Sequence, residues 1–214
     1  MLIEDIMNRN VITVKPSDSL RLAMLVAAQH RIRHLPVVDE TNKLVGILSD
    51  RDLRDACPSK FDSTANNDIY NRPVSEIMHR DVITAHPLDF VEEAAFCLYE
   101  NKIGCLPVVD QDILLGIITE TDILHTLVEL MGVQYPSSHV EVEVNDQPGM
   151  LADVSAVFKG IGTNVTSVLV FPGRHHGKKN LVFRVQTIDT RKVKNALESA
   201  GYHVIWPKEP GAGI

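Results

Sequence analysis

The eleven residues Ile6–Pro16, IMNRNVITVKP, return at Ile77–Pro87 as IMHRDVITAHP, with seven identities at an offset of 71. The register continues beyond them. HRIRHLPVVD at 30–39 lies over NKIGCLPVVD at 101–110, and LVGILSDRDL at 44–53 lies over LLGIITETDI at 114–123, now at an offset of 70. One residue is therefore missing after Asp110 relative to Asp39. Length changes settle in loops, so the segments on either side are the structural elements of a duplicated unit.

Each copy reads the same way. The β-branched Val11–Val14, closed by Pro16, predicts a strand. Ser17 or Asp18 is expected to cap a helix running to about His30, with Leu20, Ala23, Met24 and Ala27 on one face. The apolar run Leu35–Val38 predicts a buried strand. Thr41–Lys43 reads as a turn, Leu44–Leu48 as a strand and Asp50–Ala56 as a short helix. The order is β-α-β-β-α, used twice. Two half-domains of this kind are expected to bury their faces against each other over residues 1–133. The polar stretch Cys57–Pro73 reads as the linker between them.

A second break falls at Gly132–Ser138, where Gly, Pro and Ser cluster. Beyond it the period changes. HVEVEVN at 139–145 alternates strictly and predicts a half-exposed antiparallel strand. Met150, Leu151, Val154, Val157 and Phe158 then recur at helical spacing. Val165–Phe171 and Leu181–Thr187 read as strands, residues 190–200 as a helix and Tyr202–Trp206 as a closing strand. The order βαββαβ is that of a ferredoxin-like split βαβ unit. The expected division is 1–62 and 63–133 for the two repeats and 139–214 for the last domain.

Composition narrows the function. The 214 residues carry 21 Lys and Arg against 28 Asp and Glu, a net charge of −7, which disfavours a binder of nucleic-acid backbone. No apolar run reaches the ~20 residues of a membrane span, and MLIEDIMNRN does not read as a signal peptide, so a cytoplasmic protein is expected. Cys57, Cys97 and Cys105 lack the spacing of a disulfide framework or a zinc site. His175 and His176 sit in a basic turn and read as solvated, not metal-ligating. Trp206 is read as a packing residue. No P-loop, nucleophile elbow, HExxH or dinucleotide fingerprint is present, and Cys105 has no identifiable base beside it.

The duplicated unit resembles a tandem CBS-domain pair, often called a Bateman module. The resemblance rests on NVIT and DVIT, on LPVVD in both copies, and on G-I-x-[ST]-x-x-D, here Gly46–Asp52 and Gly116–Asp122. The last domain is similar to an ACT domain, through Asp146-Gln147-Pro148-Gly149-Met150-Leu151 and the later Gly162-Thr163-Asn164-Val165. The combination resembles the acetoin-utilisation proteins of bacilli. It implies a regulatory protein, not an enzyme, with a possible partner enzyme in acetoin or acetate metabolism.

The resemblance also implies a ligand. A nucleoside offers a ribose diol, a flat apolar base and an anionic tail, and an ionised Asp accepts from both hydroxyls of a diol. Asp52 and Asp122 take that role by resemblance. Ser49 and Thr119 stand three residues earlier, where a hydroxyl and the first-turn N–H groups could meet a phosphate. Each is equally a helix cap, since S-D-R-D and T-E-T-D fit capping patterns. Ile12 and Thr13, with Ile83 and Thr84, are expected to line the base. Before LPVV the first copy has Arg33 and His34, whereas the second has Gly104 and Cys105. With Arg51 nearby, the Asp52 cleft is expected to be cationic and to favour AMP, ADP or ATP. The Asp122 cleft is expected to bind weakly, or to take an uncharged adenosyl group. In the ACT-like domain, Asp146, Pro148, Gly149, Met150, Leu151 and Asn164 are the expected amino-acid site. Pro148 suits a first helical turn, and Gly149 permits close approach to the backbone. Such sites form between paired domains, so a homodimer or higher homo-oligomer is expected. The alternatives are a scaffold that captures a partner enzyme without sensing a ligand, and an enzyme that turns nucleotide over slowly.

Overall fold

The computed structural model describes residues 1–57 and 67–208. The chain divides into two compact units, Met1–Leu124 and His125–Ile214.

In the first unit, α1 (Leu20–His30), β1 (His34–Val38), β2 (Leu44–Ser49) and α2 (Asp50–Ala56) come from the first repeat. The second repeat supplies α3 (Val91–Asn101), β3 (Cys105–Asp110), β4 (Ile113–Thr119) and α4 (Glu120–Leu130), of which the residues up to Leu124 belong to this unit. β1 pairs antiparallel with β2, and β3 with β4. The segment expected as the first strand of each repeat is only a single bridge. Val14 joins Val37 and Ala85 joins Val108, both in parallel. Pro16 and Pro87 follow too closely for the ladder to lengthen. The cap of α1 also differs from expectation. Ser19 holds it, accepting from Leu22 N at 3.3 Å, while Asp18 Oδ2 accepts from Lys15 N in the turn before. The stretch read as a linker contains a short 3-10 helix, Asn67–Asn71, and its residues 58–66 lie outside the described ones.

The two cores are assembled crosswise. Val74 and Met78 belong to the start of the second repeat, yet they pack with Val14, Leu20, Leu35 and Leu48 of the first. Ile3 and Met7 pack with Ala94, Leu98, Leu106 and Ile118 of the second. Backbone pairing follows the same crossing: His79 exchanges hydrogen bonds with Ile47 at 2.9 and 3.0 Å, and Asn8 does so with Ile117 at 2.9 and 3.0 Å. This close approach explains a glycine in each second strand. A Cβ on Gly46 would stand 2.7 Å from Met78 Sδ, and one on Gly116 would stand 2.6 Å from Met7 Sδ.

The second unit is a four-stranded antiparallel sheet in the order β6-β7-β5-β8. Its strands are β5 (Ser138–Asn145), β6 (Val165–Pro172), β7 (Lys178–Val185) and β8 (His203–Trp206). Helices α5 (Met150–Gly160) and α6 (Arg191–Ser199) cover one face through Val154, Phe158, Val193 and Leu197. Alternation along β5 puts Val140, Val142 and Val144 in that core and turns Glu141 and Glu143 away from it. Strand β7 begins three residues before the expected Leu181, because Lys178, Lys179 and Asn180 pair with Asn145, Val144 and Glu143. Pro148 lies outside α5 and not in its first turn. The cap is Gly149, at φ 92°, a left-handed conformation that glycine adopts without steric cost.

Candidate functional site

A cavity of about 570 Å³ opens in the first unit. Five of its residues are Arg33, His34, Ser49, Arg51 and Asp52 of the first repeat, and Ile83 comes from the second. Ile12, Thr13, Thr84, Thr119 and Asp122 do not line it. The crossed pairing explains which apolar segment is present. His79 is hydrogen-bonded along β2, so the chain continues through Asp81, Val82 and Ile83 into the cavity beside Asp52. Asn8 makes the equivalent contact with Ile117 of the second repeat. Ile12 is partly buried against the first core. Sequence reasoning missed His79, Asp81, Lys102 and Glu120, all in the lining. Only knowledge of the crossing would have identified His79.

Both candidate aspartates start helices. Asp52 Oδ2 accepts from Ser49 N at 2.7 Å and from Ser49 Oγ at 2.6 Å, while Ser49 Oγ accepts from Asp52 N at 3.1 Å. Asp122 repeats the arrangement with Thr119 at 2.8, 2.7 and 3.3 Å. These are reciprocal caps of the kind S/T-x-x-D allows. They commit the proton of each hydroxyl to a carboxylate, so neither donates outward in this state. The oxygen left on Asp52 is Oδ1, and it faces His79 Nε2 at 3.2 Å.

Burial opposes the charge on Asp52, but the Ser49 hydroxyl and N–H and the His79 ring outweigh it, and its pKa lies below the usual carboxylate value. His34 is also shifted down, first by burial and then by Arg33, against the opposing pull of Asp50, Glu120 and Asp52. Its ring fits against Gly104, where a Cβ would stand 2.9 Å from Cε1. The expectation of a simply cationic cleft is corrected by the lining. Arg33, Arg51 and Lys102 share it with Asp50, Asp52, Asp81 and Glu120. Arg54 pairs with Asp50 at 3.1 Å.

The His34 shift has a measurable sign. A folded pKa below the unfolded 6.5 means that the unfolded chain takes up the proton first. The neutral ring therefore contributes its full stability above about pH 6.5 and loses it as the pH falls towards the folded pKa. Between about pH 7.5 and 5.5 the urea midpoint of the wild type is expected to fall more than that of His34→Gln. Equal slopes would disprove the contribution.

Cys105 also borders the cavity, but burial pushes its thiol up to about 12, so it stays protonated at neutral pH. In the second unit the expected amino-acid site is largely self-engaged. Asp146 Oδ1 lies 2.7 Å from Lys179 Nζ, and Asn164 Nδ2 donates to Gln186 Oε1 at 2.9 Å. Leu151 is exposed, Met150 packs on the core, and the space around Gly149 is open. Trp206 departs from its expected packing role: it is 48% exposed, opposite Glu141. Among the described residues no cluster of His, Cys, Asp and Glu could hold a metal ion, and no helix is long and apolar enough to cross a membrane.

Comparison with known proteins agrees with this architecture. The CBS-domain family model matches residues 3–59 and 74–129, and a model of the TTHA0829-like ACT domain matches residues 137–206. Among curated proteins, homoserine O-acetyltransferase of Methanococcus vannielii is 33% identical over 127 residues. That match takes in 59% of this chain, and the chain spans only 25% of the acetyltransferase. Among solved structures, a candidate acetoin utilization protein (AcuB) from Vibrio cholerae is 36% identical at a TM-score of 0.55, covering 63% of this chain and 95% of that one. The CBS pair of protein MJ0100, in complex with 5′-methylthioadenosine and S-adenosylmethionine, is 32% identical at a TM-score of 0.52, covering 63% and 98%. CBSX2 in complex with AMP is 29% identical at a TM-score of 0.52, covering 60% and 96%. The chain thus belongs to the CBS-domain family, as a tandem pair followed by a TTHA0829-like ACT domain.

Proposed function

We propose that this chain is a regulatory sensor, not an enzyme, and that it binds an adenosyl ligand in the cleft beside Asp52. The observation that carries the reading is the cavity itself. It sets the carboxylate of Asp52, a partly exposed apolar wall at Ile83 and the cations Arg33, Arg51 and Lys102 around one space. Asp52 Oδ1 accepts the ribose diol once His79 yields it. Ile83 lies against the base, and the cations draw the anionic tail. Ser49 and Thr119 act first as caps, and either hydroxyl reaches a phosphate only by turning its proton away from the aspartate. The MJ0100 and CBSX2 complexes support the adenosyl class. The mixed charge of the lining suits one or two phosphate charges better than a long polyphosphate. The Asp122 cleft, without an Arg33 equivalent, takes the weaker or uncharged adenosyl ligand.

The rest of the proposal is coarser. The protein acts in the cytoplasm as a homodimer, with amino-acid binding at Asp146–Leu151 and Asn164. The likeness to AcuB supports a link to acetoin or acetate metabolism and to a partner enzyme there. The working division is 1–62, 63–133 and 139–214, with residues 3–7 and 74–78 lent across the first boundary.

Thermal-shift screening with AMP, ADP, ATP, S-adenosylmethionine and NADH tests the central reading. A ligand held at about a hundred times its Kd adds about 2.7 kcal/mol, which is several degrees in Tm. AMP or S-adenosylmethionine is expected to produce that rise. No rise with any of the five would overturn the sensor and leave the scaffold.

A further inference from the structure

One contact in the cleft joins the two repeats through a group that can change its charge. His79 Nε2 lies 3.2 Å from Asp52 Oδ1, the carboxylate oxygen that the Ser49 cap leaves over. The ring is 66% exposed, whereas the Asp52 side chain is 25% exposed. Backbone pairing sets the ring in place: His79 N donates to Ile47 O at 3.0 Å, and Ile47 N donates to His79 O at 2.9 Å. Histidine is the side chain whose charge ordinarily changes between about pH 5 and 8. An imidazolium has two N–H donors and grips a carboxylate through a charge-assisted hydrogen bond, while the neutral ring has one donor and no charge. The duplication supplies a comparison. Asn8 stands at the position of His79 in the other copy and pairs with Ile117 as His79 pairs with Ile47. Its Oδ1 accepts from Asn10 N at 2.9 Å, and an amide has no proton to gain in this range. The other charged groups facing the cavity are Arg33 and His34 at the entry to β1, Asp50 and Arg51 at the start of α2, and Asp81 just after His79. Lys102 after α3 and Glu120 at the start of α4 complete them. Arg80, beside His79 in the chain, donates to Ser75 O at 3.3 Å.

We propose that His79 is a proton-operated gate on the Asp52 cleft. The imidazolium holds Asp52 Oδ1 and keeps it from a ribose diol, and the neutral ring releases it. The inference rests on the reading of this cleft as the adenosyl site, and adds a control that the other copy, with Asn8, lacks. Its sign follows from linkage. The free protein holds more of the proton than the complex, so binding expels it and affinity rises with pH. One proton limits the rise to about tenfold per pH unit. An anionic tail would oppose the effect by attracting the imidazolium, so an adenosyl ligand without one shows it most clearly.

Titration calorimetry of the full chain with 5′-methylthioadenosine, which has no group titrating between about pH 5.5 and 7.5, tests the gate. All proteins carry Asp122→Asn, so that binding is read at the Asp52 cleft. With His79 present, affinity is expected to rise at least about threefold from pH 5.5 to 7.5. In His79→Asn, which installs the residue of the other copy, and in His79→Gln, the rise is expected to shrink to whatever His34 contributes to every protein compared. At pH 6.5 the heat of binding is expected to differ between phosphate and Tris buffers through the released proton, and to differ less in the two variants. Circular dichroism checks that each variant is folded, and either variant carries the test. Equal affinity at both pH values, a rise undiminished in a folded variant, or no binding of 5′-methylthioadenosine would each overturn the gate. AMP at pH 7.5 separates the two claims: AMP bound alongside any of those results sinks the gate alone, and a protein that takes neither ligand sinks the reading of the cleft as well.

Discussion

Truncating Ile3 to alanine is expected to cost about 2–5 kcal/mol and to loosen the second repeat instead of the first. The side chain is 0% exposed and sits among Ala94, Leu98, Leu106 and Ile118. Its removal takes away transfer energy and leaves a hole that the surrounding residues fill only in part. The chain is also tied there by backbone, since Ile3 N donates to Asp89 O at 2.9 Å and Val91 N donates to Met1 O at 3.1 Å. Hydrogen exchange should therefore speed up across α3, β3 and β4 before it does in α1, β1 and β2. The mirror variant, Val74→Ala, should reverse the order. Faster exchange in the first repeat on truncating Ile3 would contradict the crossed cores.

Asp52→Asn is expected to weaken AMP binding by about 10–150-fold, the worth of a hydrogen bond to a charged group. Asparagine keeps the size of the side chain and can still accept from Ser49 N, so the start of α2 should survive. What it loses is the full negative charge at Oδ1, where the diol is to be held. Asp122→Asn changes a residue outside the cavity lining and should leave this affinity within about twofold. Titration calorimetry on the three proteins gives the comparison. Unchanged affinity in Asp52→Asn would remove the aspartate from the ligand's contacts.

Much of the fold was legible because the duplication supplied its own alignment. The LPVV and GI-x-[ST] strands, the helix Asp50–Ala56 and the alternating β5 all follow from local pattern. Two features were not legible, and for the same reason. The segments that open the two repeats, LIEDIM and VSEIM, are alike in pattern, so the sequence by itself does not say which core each one fills. No local rule chooses between them, and the exchange is decided by the tertiary path of the chain. The cleft inherited that ambiguity. Asp52, Ser49, Arg33 and His34 were identified by resemblance and spacing, but their apolar wall comes from Ile83 of the second repeat and not from Ile12 of their own. The carboxylates Asp81 and Glu120 escaped notice because a charged residue in a loop or a first helical turn looks ordinary until the space in front of it is known.

The crossed termini make each half an incomplete lock that already carries the other's key. Expressed by itself, a single copy of the repeat would keep its own wedge outside its own socket, and could close that socket only with the wedge of a twin. Closure would then depend on concentration for a separate copy, whereas in this chain the second copy is tethered and concentration drops out.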